Sequence, residues 1–204
     1  MGQPTAGVRL PTPTVALNPP APPNPVPALA PTPALKTYRY YWEDFPVGSV
    51  REFGAMPVTR EASIAFAREF DPQPFHLDDE AARGSLFGAL CTSGWHTCAM
   101  AMRMMCDDYL LETASLGSPG IDELRWLKPV FPGDTLRGRV EILEARPMAS
   151  RPGVGLVRSA WQLSNQHGEA VLSMKGWGMY RRRPVGDAGP DALSPRSTGA
   201  DSAP

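Results

Sequence analysis

The sequence predicts an α+β domain in which one antiparallel sheet curls around a single buried helix. Two observations carry this. From Ser93 to about Leu111 the pattern is helical yet apolar on nearly every side, with Trp95, Cys98, Met100, Met102, Met104 and Met105 interrupted only by His96 and Arg103 before Asp107. A helix of that kind, too short to span a membrane comfortably, belongs inside a fold. After Gly120 come four strand-like segments, 121–130, 135–145, 155–165 and 169–181, divided by Pro132-Gly133-Asp134, Pro152-Gly153 and His167-Gly168. With no helix between them they form a meander, which excludes a doubly wound parallel fold.

The remaining elements follow in order. Tyr38 to Phe45 is rich in aromatics, and Pro46-Val47-Gly48 turns the chain. Val50 to Val58 alternates as a strand, with Val50, Phe53, Met56 and Val58 as its apolar set. Thr59 is placed to cap a helix over 60–70, which sets Ile64, Ala67 and Phe70 on one side and Arg60, Glu61, Arg68 and Glu69 towards solvent. Pro72 and Pro74 end that helix, because a residue before proline avoids the helical region. Residues 78–83 form a short helix, and 84–94 are small and glycine-rich.

Composition sets the limits of this domain. Of 24 prolines in 204 residues, 11 fall within residues 1–37, a stretch with only Arg9 and Lys36 charged. That segment and residues 183–204 read as disordered tails, which leaves one domain over 38–182. The domain holds 16 Lys and Arg against 18 Asp and Glu. Such a balance argues against a nucleic-acid partner, which needs a basic face to release counterions. Arg181, Arg182 and Arg183 read as a solvated strand end. No run approaches the ~20 apolar residues of a membrane span, and the proline-broken N-terminus lacks the form of a secretory or mitochondrial signal. Cys91, Cys98 and Cys106 are an odd set with no C-x-x-C pairing, read as small core residues in a reducing cytoplasm. The clustering a metal site needs is absent from the sequence.

Two local patterns bear on chemistry. In Asp71-Pro-Gln-Pro-Phe-His76 a carboxylate and an imidazole lie five residues apart on a loop that two prolines stiffen. If the loop bends, the pair converges to hold and polarise a water; otherwise Asp71 is a local cap and His76 a surface residue. In Thr92-Ser93-Gly94, ahead of the buried helix, Ser93 is either an ordinary N-cap or part of a site where first-turn N–H groups meet a developing oxyanion.

The proline loop resembles the D-x-N-P-x-H signature of the MaoC-like, or R-specific, enoyl-CoA hydratases of the hot-dog fold. The resemblance extends through F-A-R-E-F, H-L-D-x-x-A-A, L-F-G-x-L-x-x-S-G-W-H, G-I-D-E-L-R-W and K-P-V-x-P-G-D-T-L, from about Tyr41 to Arg182. It implies reversible syn addition of water to a trans-2-enoyl-CoA, giving a (3R)-hydroxyacyl-CoA. It places the catalytic pair at Asp71 and His76, and the backbone donor to the thioester oxygen at Gly94. Gln73, Ser93 and Trp95 are the expected substrate-contacting positions. Gln73 stands where the signature has Asn, and Ser93 where several hydratases have His. The resemblance also implies a homodimer with sheets joined edge to edge, an acyl tunnel between subunits, and no cofactor beyond the coenzyme A of the substrate. Arg125 and Lys128 are candidates for its phosphates, or else ordinary strand-end charges. Two other functions are compatible with a hot-dog domain. A thioesterase commonly carries a carboxylate in its central helix, whereas residues 94–106 hold none. A non-catalytic acyl-CoA-binding subunit would have no use for both Asp71 and His76.

Overall fold

The computed structural model describes residues 37–184 and 186. The tails expected over 1–37 and 183–204 lie outside it, apart from the few residues adjoining the domain. Five strands form one antiparallel sheet in the order β1-β3-β4-β5-β2. They are β1 (Val50–Pro57), β2 (Gly120–Trp126), β3 (Thr135–Pro147), β4 (Val154–Ser164) and β5 (Ala170–Arg181). Three helices accompany them: α1 (Arg60–Phe70), α2 (Asp79–Arg83) and α3 (Gly94–Asp108). The sheet curls around α3 in the hot-dog arrangement.

Period-two burial makes the strands. Leu136, Val140 and Ile142 of β3 point inward while Arg137 and Arg139 face out. They meet Val157 and Leu163 of β4, Val171, Leu172 and Met174 of β5, and Met100, Ala101, Met104 and Met105 of α3 in one core. The helix is not wrapped on every side. Trp95 and Met102 are 58% and 50% exposed. Cys91 is buried, while Cys98 and Cys106 are partly so, and all three are free thiols.

Three further sequence expectations shift. In β1 the inward residues are Arg51 and Phe53, and Val50 faces out. Gly54, at φ +79°, then bulges the strand and shifts its register against β3 before Met56. Strand β2 stops at Trp126 rather than Val130. Leu127 and Lys128 both donate to Val171 O, Pro129 has no N–H, and Val130 O turns to accept from Thr92 N at 2.8 Å. Finally, the basic strand end is not simply solvated. Arg182 pairs with Glu43, and the Arg183 side chain, 12% exposed, pairs with buried Asp44 beside the Tyr41 ring. The end of β5 thereby anchors the aromatic N-terminal turn Trp42–Asp44.

Candidate active site

The loop after α1 is built by its prolines. Asp71 N closes the helix on Ala67 O, and Pro72 prevents another turn. Gln73 N then donates to Asp71 O at 2.7 Å, and His76 N to Gln73 O at 2.9 Å, folding Pro74–His76 into a 3-10 turn. Asp71 Oδ2 and His76 Nε2 come to 3.5 Å. Of the two readings open in the sequence, His76 is no surface residue, because it is only 6% exposed. Its Nδ1 lies 2.8 Å from the Cys91 carbonyl oxygen. A carbonyl only accepts, so Nδ1 bears a proton and Nε2 is the ring nitrogen that faces Asp71.

Asp71 is held from both sides. Gln73 Nε2 donates to Oδ1 at 2.8 Å, and Ser93 Oγ donates to Oδ2 at 2.7 Å. Partial burial pushes the Asp71 pKa up. The hydrogen bonds from Ser93 and Gln73, together with the nearby imidazole, outweigh it and leave the pKa below the ordinary carboxylate value. Burial pushes the Cys91 thiol up, which keeps it protonated.

Ser93 is the N-cap that the sequence suggested, and it has a second contact that the sequence did not indicate. It caps the helix by accepting from Trp95 N at 3.2 Å, and it ties the helix to Asp71. It is fully buried and lies behind the cavity wall rather than on it. Gly94 begins α3, where first-turn N–H groups have no intrahelical acceptor. A Cβ at Gly94 would lie 2.6 Å from Trp126 Nε1, so the absence of a side chain lets the indole pack on the helix start.

These groups enclose a cavity of about 390 Å³. Asp71, Gln73, His76, Gly94 and Trp95 all line it. Phe75 and Phe87 wall one side, their rings 5.3 Å apart, and Trp95 and Trp126 meet edge to face at 5.2 Å. Lys128 is also at the wall, paired with Glu169, whereas Arg125 is outside it and paired with Glu123. Sequence reasoning did not find Phe87, Trp126, Thr97 or Val130. For Trp126 a signal existed, since it closes the G-I-D-E-L-R-W segment of the resemblance. Among the described residues no group of three or more His, Cys, Asp or Glu could hold a metal ion, and no helix is long and apolar enough to cross a membrane.

The chemistry available is acid–base work at one point and oxyanion stabilisation at another. With the ring in its neutral form, His76 Nε2 and the Asp71 carboxylate are both acceptors, and a two-proton donor such as water can bridge them. The positive end of α3 sits across the same cavity.

The chain is similar in sequence and fold to known proteins. A family model described as a MaoC like domain matches residues 44–159. The crystal structure of the MaoC-like dehydratase from Rhodospirillum rubrum resembles this one with a TM-score of 0.67 and 42% sequence identity, over 72% of this chain and 99% of that one. The uncharacterized protein YdeM of Bacillus subtilis is 28% identical over 112 residues, 55% of this chain and 79% of that protein. The mesaconyl-CoA hydratase of Cereibacter sphaeroides is 41% identical over 81 residues, which are 40% of this chain and 23% of that protein.

Proposed function

The chain belongs to the MaoC-like domain family, and from that premise we propose that it is an enoyl-CoA hydratase, or acyl-CoA dehydratase in the reverse direction. It adds water syn across a trans-2-enoyl-CoA to give a (3R)-hydroxyacyl-CoA. The observation that carries this reading is the approach of Asp71 Oδ2 to His76 Nε2, 3.5 Å apart, in the cavity that also holds the start of α3. Similarity to a mesaconyl-CoA hydratase supports a thioester of coenzyme A as substrate.

In this mechanism Asp71 and His76 hold one water. The lone pair of His76 Nε2 takes a proton as the water oxygen attacks C3. The C2–C3 π pair forms the C1–C2 double bond as the carbonyl π pair moves onto the thioester oxygen, and the Gly94 N–H stabilises the resulting enolate. A proton from the same Asp71–His76 unit then reaches C2 on the face that received the oxygen. Ser93 and Gln73 keep the carboxylate ionised and oriented. Trp95 and Gln73 bound the acyl group, and Lys128, at the cavity wall, is placed for a phosphate or carboxylate of the substrate. No metal or redox cofactor takes part.

A thioesterase is the weaker reading. The first carboxylates on α3 are Asp107 and Asp108, and both are engaged, with Arg103 and Arg51.

The test is hydration of crotonyl-CoA, followed by loss of the enoyl absorbance. Asp71→Asn is expected to reduce turnover by ~10²–10⁴, as for removal of a general acid–base group, while the circular dichroism spectrum is unchanged. An Asp71→Asn protein as fast as wild type sinks the assignment. Free thiol release from saturated acyl-CoAs would point to the thioesterase instead.

A further inference from the structure

His96 is a half-buried imidazole that this mechanism leaves without a role. Its ring stacks on Phe66 of α1, with centroids 4.8 Å apart and planes 19° apart. Its Nδ1 lies 2.7 Å from Thr92 Oγ1. Thr92 is 5% exposed, lines the candidate active-site cavity with Gly94, and is anchored by its own N–H to Val130 O. The intervening Ser93 turns away to Asp71, as alternation in an extended segment requires. Thr92, two residues before the proposed oxyanion donor, is therefore part of the cavity wall, and its hydroxyl is the group that His96 holds.

We propose that Thr92 is a second hydrogen-bond donor to the thioester carbonyl oxygen, and that His96 is the positioning residue that aims it. This rests on the acyl-CoA reading above and extends it to two residues. The Thr92 hydroxyl has one proton. If His96 Nδ1 accepts it, nothing remains for a ligand. If Nδ1–H donates to Oγ1, the threonine proton is free for the cavity. The second tautomer is the productive one, and the Phe66 ring holds the imidazole in the plane that it needs. Burial lowers the His96 pKa, which keeps the ring neutral and leaves the choice between tautomers open to this geometry. A single amide N–H is a sparse oxyanion site, and a fixed hydroxyl beside it adds a donor that needs no reorganisation during reaction.

Two measurements test this. Steady-state kinetics on crotonyl-CoA should show Thr92→Val losing about 10²-fold in kcat, the usual cost of an oxyanion donor, with KM changed far less. Thr92→Ser should keep most of the activity. His96→Phe preserves the ring on Phe66 and removes Nδ1; it should lose at least about tenfold, as misaimed groups do. His96→Asn returns a donor near the Nδ1 position and should recover part of the loss. The double variant should be no slower than Thr92→Val alone, because His96 acts through Thr92. The second readout does not need turnover: the infrared band of an isotope-labelled carbonyl in bound butyryl-CoA. It should shift to lower frequency in the wild type and move back towards the free value in Thr92→Val and His96→Phe. A carbonyl band that neither substitution moves overturns the inference even if hydration proceeds. A wild type that shows the band shift and its loss, yet hydrates no enoyl-CoA, overturns the hydratase reading and leaves the donor pair standing.

Discussion

Asp71 shows how much a single carboxylate depends on its neighbours. Burial alone would raise its pKa, and two donated hydrogen bonds together with His76 reverse the sign. Since the folded pKa is depressed, the stabilisation it brings is present above the ordinary carboxylate range and is lost as pH falls through the folded value. Ser93→Ala removes the donor to Oδ2 and the cap on Trp95 N together. The Asp71 titration, followed by carbon NMR of its carboxyl group, should move to higher pH, and the protein should lose roughly 1 kcal/mol from the missing cap. A titration that stays in place would show that Ser93 does not control the carboxylate. The sequence contained the pair Asp71 and His76 and the stiff loop between them. It could not contain Ser93's part, since the hydroxyl that holds Asp71 is 22 residues away and only the docking of α1 against α3 brings it there.

At the level of elements, burial decides which charges matter. Asp107 and Asp108 are adjacent at the end of α3 and differ in effect. Asp107 pairs with Arg103 in solvent. Asp108 pairs with Arg51 of β1, whose side chain is 4% exposed and lies 5.8 Å from the centroids of both Tyr40 and Tyr109. Asp108→Ala leaves a buried guanidinium without its counterion and should cost about 3–5 kcal/mol in urea unfolding. Asp107→Ala should stay within about 1 kcal/mol. Equal losses would mean that the Arg51 pair is not buried in solution. In sequence, Arg51 reads as the polar partner of an apolar Val50. The reverse is true because the period runs from Phe53, and Arg51 can face inward only where an acid from α3 meets it. The turns and the helix start were legible because Pro, Gly, Thr59 and Ser93 act locally. The end of β2 was signalled only by Pro129, which has no N–H for a ladder, and residues 127–130 leave the sheet to line the cavity.

At the scale of the whole sheet, among the described residues, the two end strands each pair on one side only, β1 with β3 and β2 with β5. Beside β2 the exposed apolar side chains Ile121, Trp126 and Met102 lie on the sheet edge and the open face of α3. An unpaired apolar edge needs cover, and the homodimer that the family resemblance implies would join two such edges about a two-fold axis. Ile121→Lys should convert the protein from dimer to monomer in sedimentation equilibrium. A wild type that sediments as a monomer at all concentrations sinks this arrangement. By itself the sequence determined the α+β class, the order of elements, the central helix and the residues able to do acid–base chemistry. These depend on hydrophobic period and local backbone preference, which act over a few residues. Only the tertiary structure decided that Ser93 and Gln73 grip Asp71, that Trp126 rests on Gly94, and that Thr92 and His96 stand beside the cavity. Those are contacts between segments far apart in the chain, and no local periodicity encodes which distant surfaces meet.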